Sequence, residues 1–158
     1  MTGVDSSSEM LDALAGAEPV CSRIEVLDLG RTFDGVLIAS YLLNNPSPEE
    51  RGQLLGACRR HMHSASLLFI QVRGEGLLGN LQGRVVEQDG VRDVYEVWRR
   101  VKDQVTFTIR TEWRGHVWRQ TATHQYLTEQ ELRRELARHG LVWAGWLCVP
   151  EWFLARAI

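Results

Sequence analysis

The sequence predicts one α/β domain: a first half in which helices cover a parallel sheet, then a stretch of antiparallel β-structure. Three observations carry this. Two nearly continuous apolar runs, residues 33–39 and 67–72, suit strands buried on both faces, as in a helix-covered parallel sheet. Helix-start signals at Ser6-x-x-Glu9 and Ser47-Pro48-Glu49-Glu50 stand between strand-like runs, giving the alternation typical of layered α/β folds. In the second half Val105, Phe107, Ile109, Thr111 and Trp113 alternate with Thr106, Thr108, Arg110, Glu112 and Arg114, the period of a half-covered strand.

Taken in order, residues 2–4 read as a short strand ended by Asp5. A capping box at Ser6 and Glu9 opens a helix whose apolar face is Met10, Leu11 and Leu14, closed by Gly16 and Pro19. Residues 20–26 are a strand candidate, 27–32 a loop and 33–39 a buried strand. Asn44-Asn45-Pro46 is loop chemistry, after which Ser47 caps a helix reaching about Arg60 that buries Leu54, Leu55 and Cys58. Strand 67–72 follows, and residues 74–83, with four glycines, read as a mobile loop. Arg114-Gly115-His116 turns strand 105–113 back into 117–126. Thr128-x-x-Glu131 is a third capping box, opening a helix with Leu132, Leu136 and Ala137 inside and His139-Gly140 at its end. Strands 141–147 and 152–157 close the chain around Pro150.

With 158 residues, 44% hydrophobic and 24% charged, and six Trp and four Phe asking for burial, the chain is one domain with a real core rather than a disordered segment. No apolar run approaches the roughly 18–20 residues of a membrane span, and residues 1–9 lack the basic and apolar regions of a secretory signal. Cys21, Cys58 and Cys148 are too few and too scattered for a disulfide framework or zinc-ligand pairs. A cytoplasmic protein is expected. Seventeen of eighteen bases are Arg, a skew expected of GC-rich, bacterial coding. Residues 1–50 carry nine acids and two bases, the remainder eleven acids and sixteen bases. No element gathers these arginines with aromatics in a binding motif, so nucleic acid is not an expected partner.

Gly3-Val4-Asp5-Ser6-Ser7-x-Glu9-Met10-Leu11 resembles the second strand and following helix of class I S-adenosylmethionine (SAM)-dependent methyltransferases. Phe33-Asp34-x-Val36-Leu37-Ile38-Ala39-Ser40 resembles that family's fourth strand. The helix opened by Thr128, Gly140-Leu141 and Trp152-Phe153-Leu154-Ala155 resemble its closing helix and antiparallel hairpin. The resemblance implies an incomplete Rossmann-like methyltransferase sheet. Residues 1–73 form a partial SAM-binding half, 74–126 a substrate-side β insertion, and 127–158 the closing helix and hairpin. The family's first strand and its Gly-rich loop have no counterpart in the sequence. The chain therefore reads as N-terminally truncated, either through a start codon placed late or as a repurposed methyltransferase-like module. Weak or absent SAM binding is expected, as is a free edge on strand 33–39 that could pair with residues 2–4 or support a homodimer.

The implied function is methyl transfer from SAM to a small-molecule acceptor; the alternative is a non-catalytic binding module. Asp5, with Ser6, stands where the family holds the SAM ribose, though a carboxylate there also serves as a helix cap. Ile24 and Glu25 match the adenine edge, with Arg23 where members often carry Asp. Ser40 lies where methyl donor and acceptor should meet, and a loop-start serine is the competing reading. Tyr41, Asn44 and Asn45, after the fourth strand, match acceptor-holding positions; turn residues before a helix explain the two asparagines equally. His124, on a strand of the insertion, is the candidate general base, and a satisfied structural histidine the plainer reading. His61-x-His63 has no further ligand at metal-binding spacing, so no metal is expected.

Overall fold

In the computed structural model, which describes every residue except Glu75, Leu77 and Leu78, the strands fall into three sheets. β1 (Thr2–Asp5) and β2 (Glu18–Cys21) pair in parallel, with Val4 opposite Val20 and Asp5 opposite Cys21. Between them runs the five-residue helix α1 (Ser8–Asp12). Its cap is Ser7 rather than Ser6: the Ser7 hydroxyl accepts the Met10 N–H at 3.4 Å, while Asp5 accepts the Ser7 N–H at 2.8 Å. Of its expected apolar face only Leu11 is buried. The strand expected over 20–26 stops at Cys21; Ile24–Val26 winds into a single 3-10 turn that drops Leu27 into the interior.

The principal sheet runs β3 (Phe33–Ile38), β4 (Met62–Gln71), β10 (Trp152–Ala157), β9 (Leu141–Trp146), with β3 parallel to β4 and the other pairs antiparallel. Helices α2 (Pro48–Arg60) and α3 (Glu129–Arg138) cover it. The core joins Leu55 of α2, Leu132 and Leu136 of α3, and Ile38, Leu68, Ile70, Leu141 and Phe153 of the strands, all buried. Phe153 stacks on Trp143 at 4.2 Å and meets Trp146 edge-on at 5.8 Å.

Both covering helices start where the sequence signals. Ser47 accepts the Glu50 N–H at 3.2 Å with Pro48 in the first turn, but the Glu50 carboxylate takes the Asn45 amide at 2.6 Å, so that capping box is half formed. At α3 the box is complete: Thr128 accepts the Glu131 N–H at 3.2 Å and Glu131 accepts the Thr128 N–H at 2.7 Å. The helices are tied by a buried ion pair, Arg51 Nη2 to Glu135 Oε1 at 3.0 Å, and Arg51 Nη1 donates to the Asn45 carbonyl at 2.7 Å.

The strands of the first half, expected as one incomplete parallel sheet, lie in two separate sheets. β3 is the outer strand of its sheet and does not pair with β1. Between them lies an apolar cavity of about 450 Å³ lined by Val4, Ile24, Phe33, Val36, Leu54 and His61. Nor is β3 buried on both faces: Leu37 is 63% exposed, because an edge strand lacks the cover that a central strand receives.

The third sheet is an antiparallel meander of β5 (Val85–Gln88), β6 (Val91–Val101), β7 (Gln104–Trp113) and β8 (His116–Gln125), with the turn at Gly115 (φ 82°) where the sequence places it. Leu81, Tyr95, Val105 and Phe107 form its small core. The expected mobile loop over 74–83 lies partly outside the described residues. Its end is pinned, with Leu81 fully buried and Gly83 N–H donating to the Tyr95 carbonyl at 2.9 Å. His61 fastens the loop before β3: its Nε2 accepts the Leu29 N–H at 2.9 Å while Nδ1 donates to the Ala57 carbonyl at 2.7 Å. His63 bonds Asp34 at 3.0 Å. No helix of the described residues is long and apolar enough to cross a membrane.

Candidate active site

Two sites flank the turn that follows β3. The first is a cavity of about 350 Å³ where β1 and β2 end, lined by Asp5, Ser6, Ile24, Glu25, Asn45 and Leu54 among others. It unites four of the five expected cofactor residues. Asp5 serves as a cap through one oxygen, on the Ser7 N–H, and its second oxygen has no partner among the described residues. Glu25 is paired with Arg23 at 2.9 Å, and that hydrogen bond lowers its pKa. Ile24, Leu42 and Leu54 supply apolar wall.

The second site is a cluster of Tyr41, Arg73, Tyr95, Phe107 and His124, where the meander meets the ends of β3 and β4. Ser40 and Tyr41 are both left-handed (φ 56° and 59°), a costly conformation for two successive non-glycine residues and one that concentrates at functional sites. Ser40 N–H donates to Gln71 Oε1 at 3.0 Å. Tyr41 donates its hydroxyl to Glu151 Oε2 at 2.6 Å, and burial together with that carboxylate pushes the phenol up to about 12. The Arg73 guanidinium lies 4.0 Å from the Tyr41 ring centre, 5.2 Å from Tyr95 and 5.5 Å from Phe107.

His124 meets Phe107 edge-on at 5.0 Å and stands 6.3 Å from the Tyr41 ring. Burial, and then the Arg73 charge, push the His124 imidazolium down to about 4, so the ring is neutral at pH 7, and its buried Nδ1 has no partner among the described residues. Because this pKa is lower in the folded chain than the ordinary 6.5, the unfolded chain binds the proton more readily between those values. Stability is therefore expected to fall as pH drops from 6.5 towards about 4; melting curves of the wild type should show this extra loss, and those of His124→Asn should not.

The short 3-10 turn Leu42–Asn44 joins the two sites, Tyr41 and Asn44 belonging to the cluster and Leu42 and Asn45 lining the cavity. Asn44 is fully buried. Its Nδ2 donates to the carbonyls of Arg73 (3.2 Å) and Gln125 (2.9 Å), and its Oδ1 accepts the Arg73 N–H at 2.7 Å. It thus clasps the segment just after β4 to β8 instead of facing an acceptor. Asn45 sits with Asp5 in the cavity rather than beside Tyr41. Sequence reading missed Arg73, Tyr95 and Glu151. An arginine directly after the apolar run 67–72 is a usable signal; Tyr95 and Glu151 carry none.

The fold is similar to that of solved SAM-dependent methyltransferases. An S-adenosylmethionine-dependent methyltransferase from Clostridium acetobutylicum superposes with a TM-score of 0.75 at 16% identity, covering 98% of this chain and 73% of the other. SAM-bound CalS10, an amino pentose methyltransferase of Micromonospora echinaspora involved in calicheamicin biosynthesis, gives 0.73 at 21% identity, over 99% and 73%. DesVI of Streptomyces venezuelae gives 0.73 at 18% identity, over 99% and 74%. No protein-family model and no curated protein matches the sequence.

The residues of the first cavity fit the nucleoside end of SAM. A carboxylate oxygen is free for ribose hydroxyls, and the apolar wall suits an adenine face. Among the described residues its lining includes no glycine, so they provide no close backbone approach to the remainder of the donor there.

Proposed function

We propose that the chain is a methyltransferase-like domain that takes SAM in the Asp5 cavity and a small-molecule acceptor at the Tyr41–Arg73–His124 cluster. The carrying observation is that the turn after β3 borders both sites at once, so a donor and an acceptor bound on its two sides lie next to each other. We read β1–β2 and the principal sheet as two parts of one Rossmann-like arrangement, incomplete between β1 and β3. Solved structures of the same fold support the reading, among them an enzyme described as acting on an amino pentose.

Asp5 and Ser6 hold the ribose, Ile24, Glu25 and Leu54 flank the base, and Ser40 closes the passage between the sites. SAM supplies an electrophilic methyl group on sulfonium sulfur. The protein's part is to align the acceptor's nitrogen or oxygen with that methyl and exclude competing water. The neutral His124 ring accepts the proton released from the acceptor N–H or O–H at Nδ1 and, being half-buried, passes it to solvent.

The glycine-free lining favours a weak donor site, and with it a second reading, a module that binds a small ligand without turnover. Isothermal titration with SAM, followed by transfer of labelled methyl to a panel of amino sugars, tests both. Millimolar SAM binding with label transfer supports the enzyme. Micromolar or tighter affinity overturns the weak-site reading, and ligand binding with no transfer favours the module. Asp5→Ala is expected to weaken SAM by about tenfold or more, the loss of a charge-assisted hydrogen bond; an unchanged affinity removes Asp5 from the donor site.

A further inference from the structure

Two buried arginines invite comparison. Arg51 is neutralised by Glu135 at 3.0 Å, although its Nε–H, like that of Arg73, has no partner among the described residues. Arg73 is equally buried, 4% exposed, and no carboxylate pairs with it among the described residues. Its Nη2 makes one long contact, 3.4 Å to the Tyr95 hydroxyl, and its Nε–H has no partner among the described residues. Glu151, the acid of this cluster, is taken up by the Tyr41 hydroxyl at 2.6 Å. Aromatic rings lie over the guanidinium, an arrangement that offsets part of the charge's desolvation but leaves the N–H edge unsatisfied. Beside it, across Tyr41 and Phe107, stands the second orphan, His124 Nδ1. One orphan is an obligate donor carrying positive charge; the other, on a neutral ring, can accept. Buried polar atoms without partners are rare, and two in one cluster at a strained strand end mark a place for a ligand with the converse pattern.

We propose that this pair selects the acceptor: an anionic group, carboxylate or phosphate, lies on the Arg73 Nε–H, and a neighbouring N–H or O–H of the same molecule lies on His124 Nδ1. The acceptor class is then a small acid with an amine or hydroxyl adjacent to its charge, such as a hydroxy or amino acid or a sugar phosphate. Planar guanidinium geometry matches both anions. Naming this molecule as the acceptor rests on the methyl-transfer reading; the anion subsite itself rests on the cluster alone.

The test follows the Arg73 Nε–H and the His124 ring by NMR while glycolate, glycerol 3-phosphate or ethylene glycol is added to the full chain. Glycolate or glycerol phosphate should move both resonances saturably, and uncharged ethylene glycol should not. The tighter of the two anions assigns carboxylate or phosphate. Arg73→Met should weaken the anion about tenfold or more, whereas Arg73→Lys, keeping the charge, should retain part of the affinity. Should Arg73→Met fail to fold, the wild-type contrast between glycolate and ethylene glycol still decides. Equal response to all three probes, or none to either anion, overturns the proposal. SAM titration reads the other cavity, so anion binding without SAM binding defeats the methyl-transfer reading and leaves the subsite standing, while SAM binding without anion binding does the reverse.

Discussion

Methyl transfer by His124→Gln is expected to fall about 10²-fold, the lower end for a positioned general base because an imidazolium at about 4 makes a weak one at pH 7, with SAM affinity unchanged. The expectation comes from placement. His124 sits on β8, fixed through its β7 pairing opposite Val105 and by edge-on contact with Phe107 at 5.0 Å, so the imidazole cannot drift from the cluster. Glutamine keeps a hydrogen-bonding side chain of similar reach but cannot accept a proton at neutral pH. With the imidazolium of the free chain pushed down to about 4, the wild-type kcat/KM should hold well below pH 6.5 and fall near 4. The measurement is an initial rate with labelled SAM across that range. Equal rates for wild type and variant would return His124 to a structural role.

Breaking the Arg51–Glu135 pair is expected to give the largest loss of stability. Glu135→Ala leaves a buried guanidinium with only the Asn45 carbonyl, and such uncompensated charges cost about 3–5 kcal/mol. For a domain of this size that lowers Tm by roughly 2–4 °C per kcal/mol. The double variant Arg51→Met, Glu135→Leu should recover most of the loss, because well-packed apolar residues replace a buried ion pair at little net cost. Thermal melts of the three proteins decide. A Glu135→Ala melt within a degree or so of wild type would show that the pair is solvated. The pair also bears on the proposed function: Arg51 holds Asn45, and Asn45 lines the cavity proposed for the donor.

Local signals were legible wherever the chain satisfies itself locally. Ser47, Thr128 and Glu131 satisfy backbone groups within three residues, so the starts of α2 and α3 could be read directly, as could the turn at Gly115 and the period-two strand β7. The same reasoning erred where the deciding partner is distant. Glu50 could not complete its capping box because Asn45 competes for it, and residues 33–39, though the free edge expected of them is present, are not buried on both faces, with Leu37 in solvent. Asp5, Ser6, Ile24 and Glu25, expected as a group through family resemblance, line one cavity. Arg73 escaped because its significance lies in what does not pair with it, which no linear pattern records.

The sequence by itself determined the α/β class, the start of both covering helices, the antiparallel insertion and closing hairpin, and a residue set resembling a methyl donor site. These rest on periodicity, capping and turn chemistry, which act over a few residues. Tertiary structure alone decided that the first-half strands divide between two sheets and that Asn44 serves as a clasp between β8 and the segment just after β4. It also brought His124, more than eighty positions after Tyr41, against the same ring cluster as Arg73. Strand pairing, burial of charge and the convergence of side chains depend on which distant segments pack together, and that is set by the balance of the whole core rather than by any one stretch of chain.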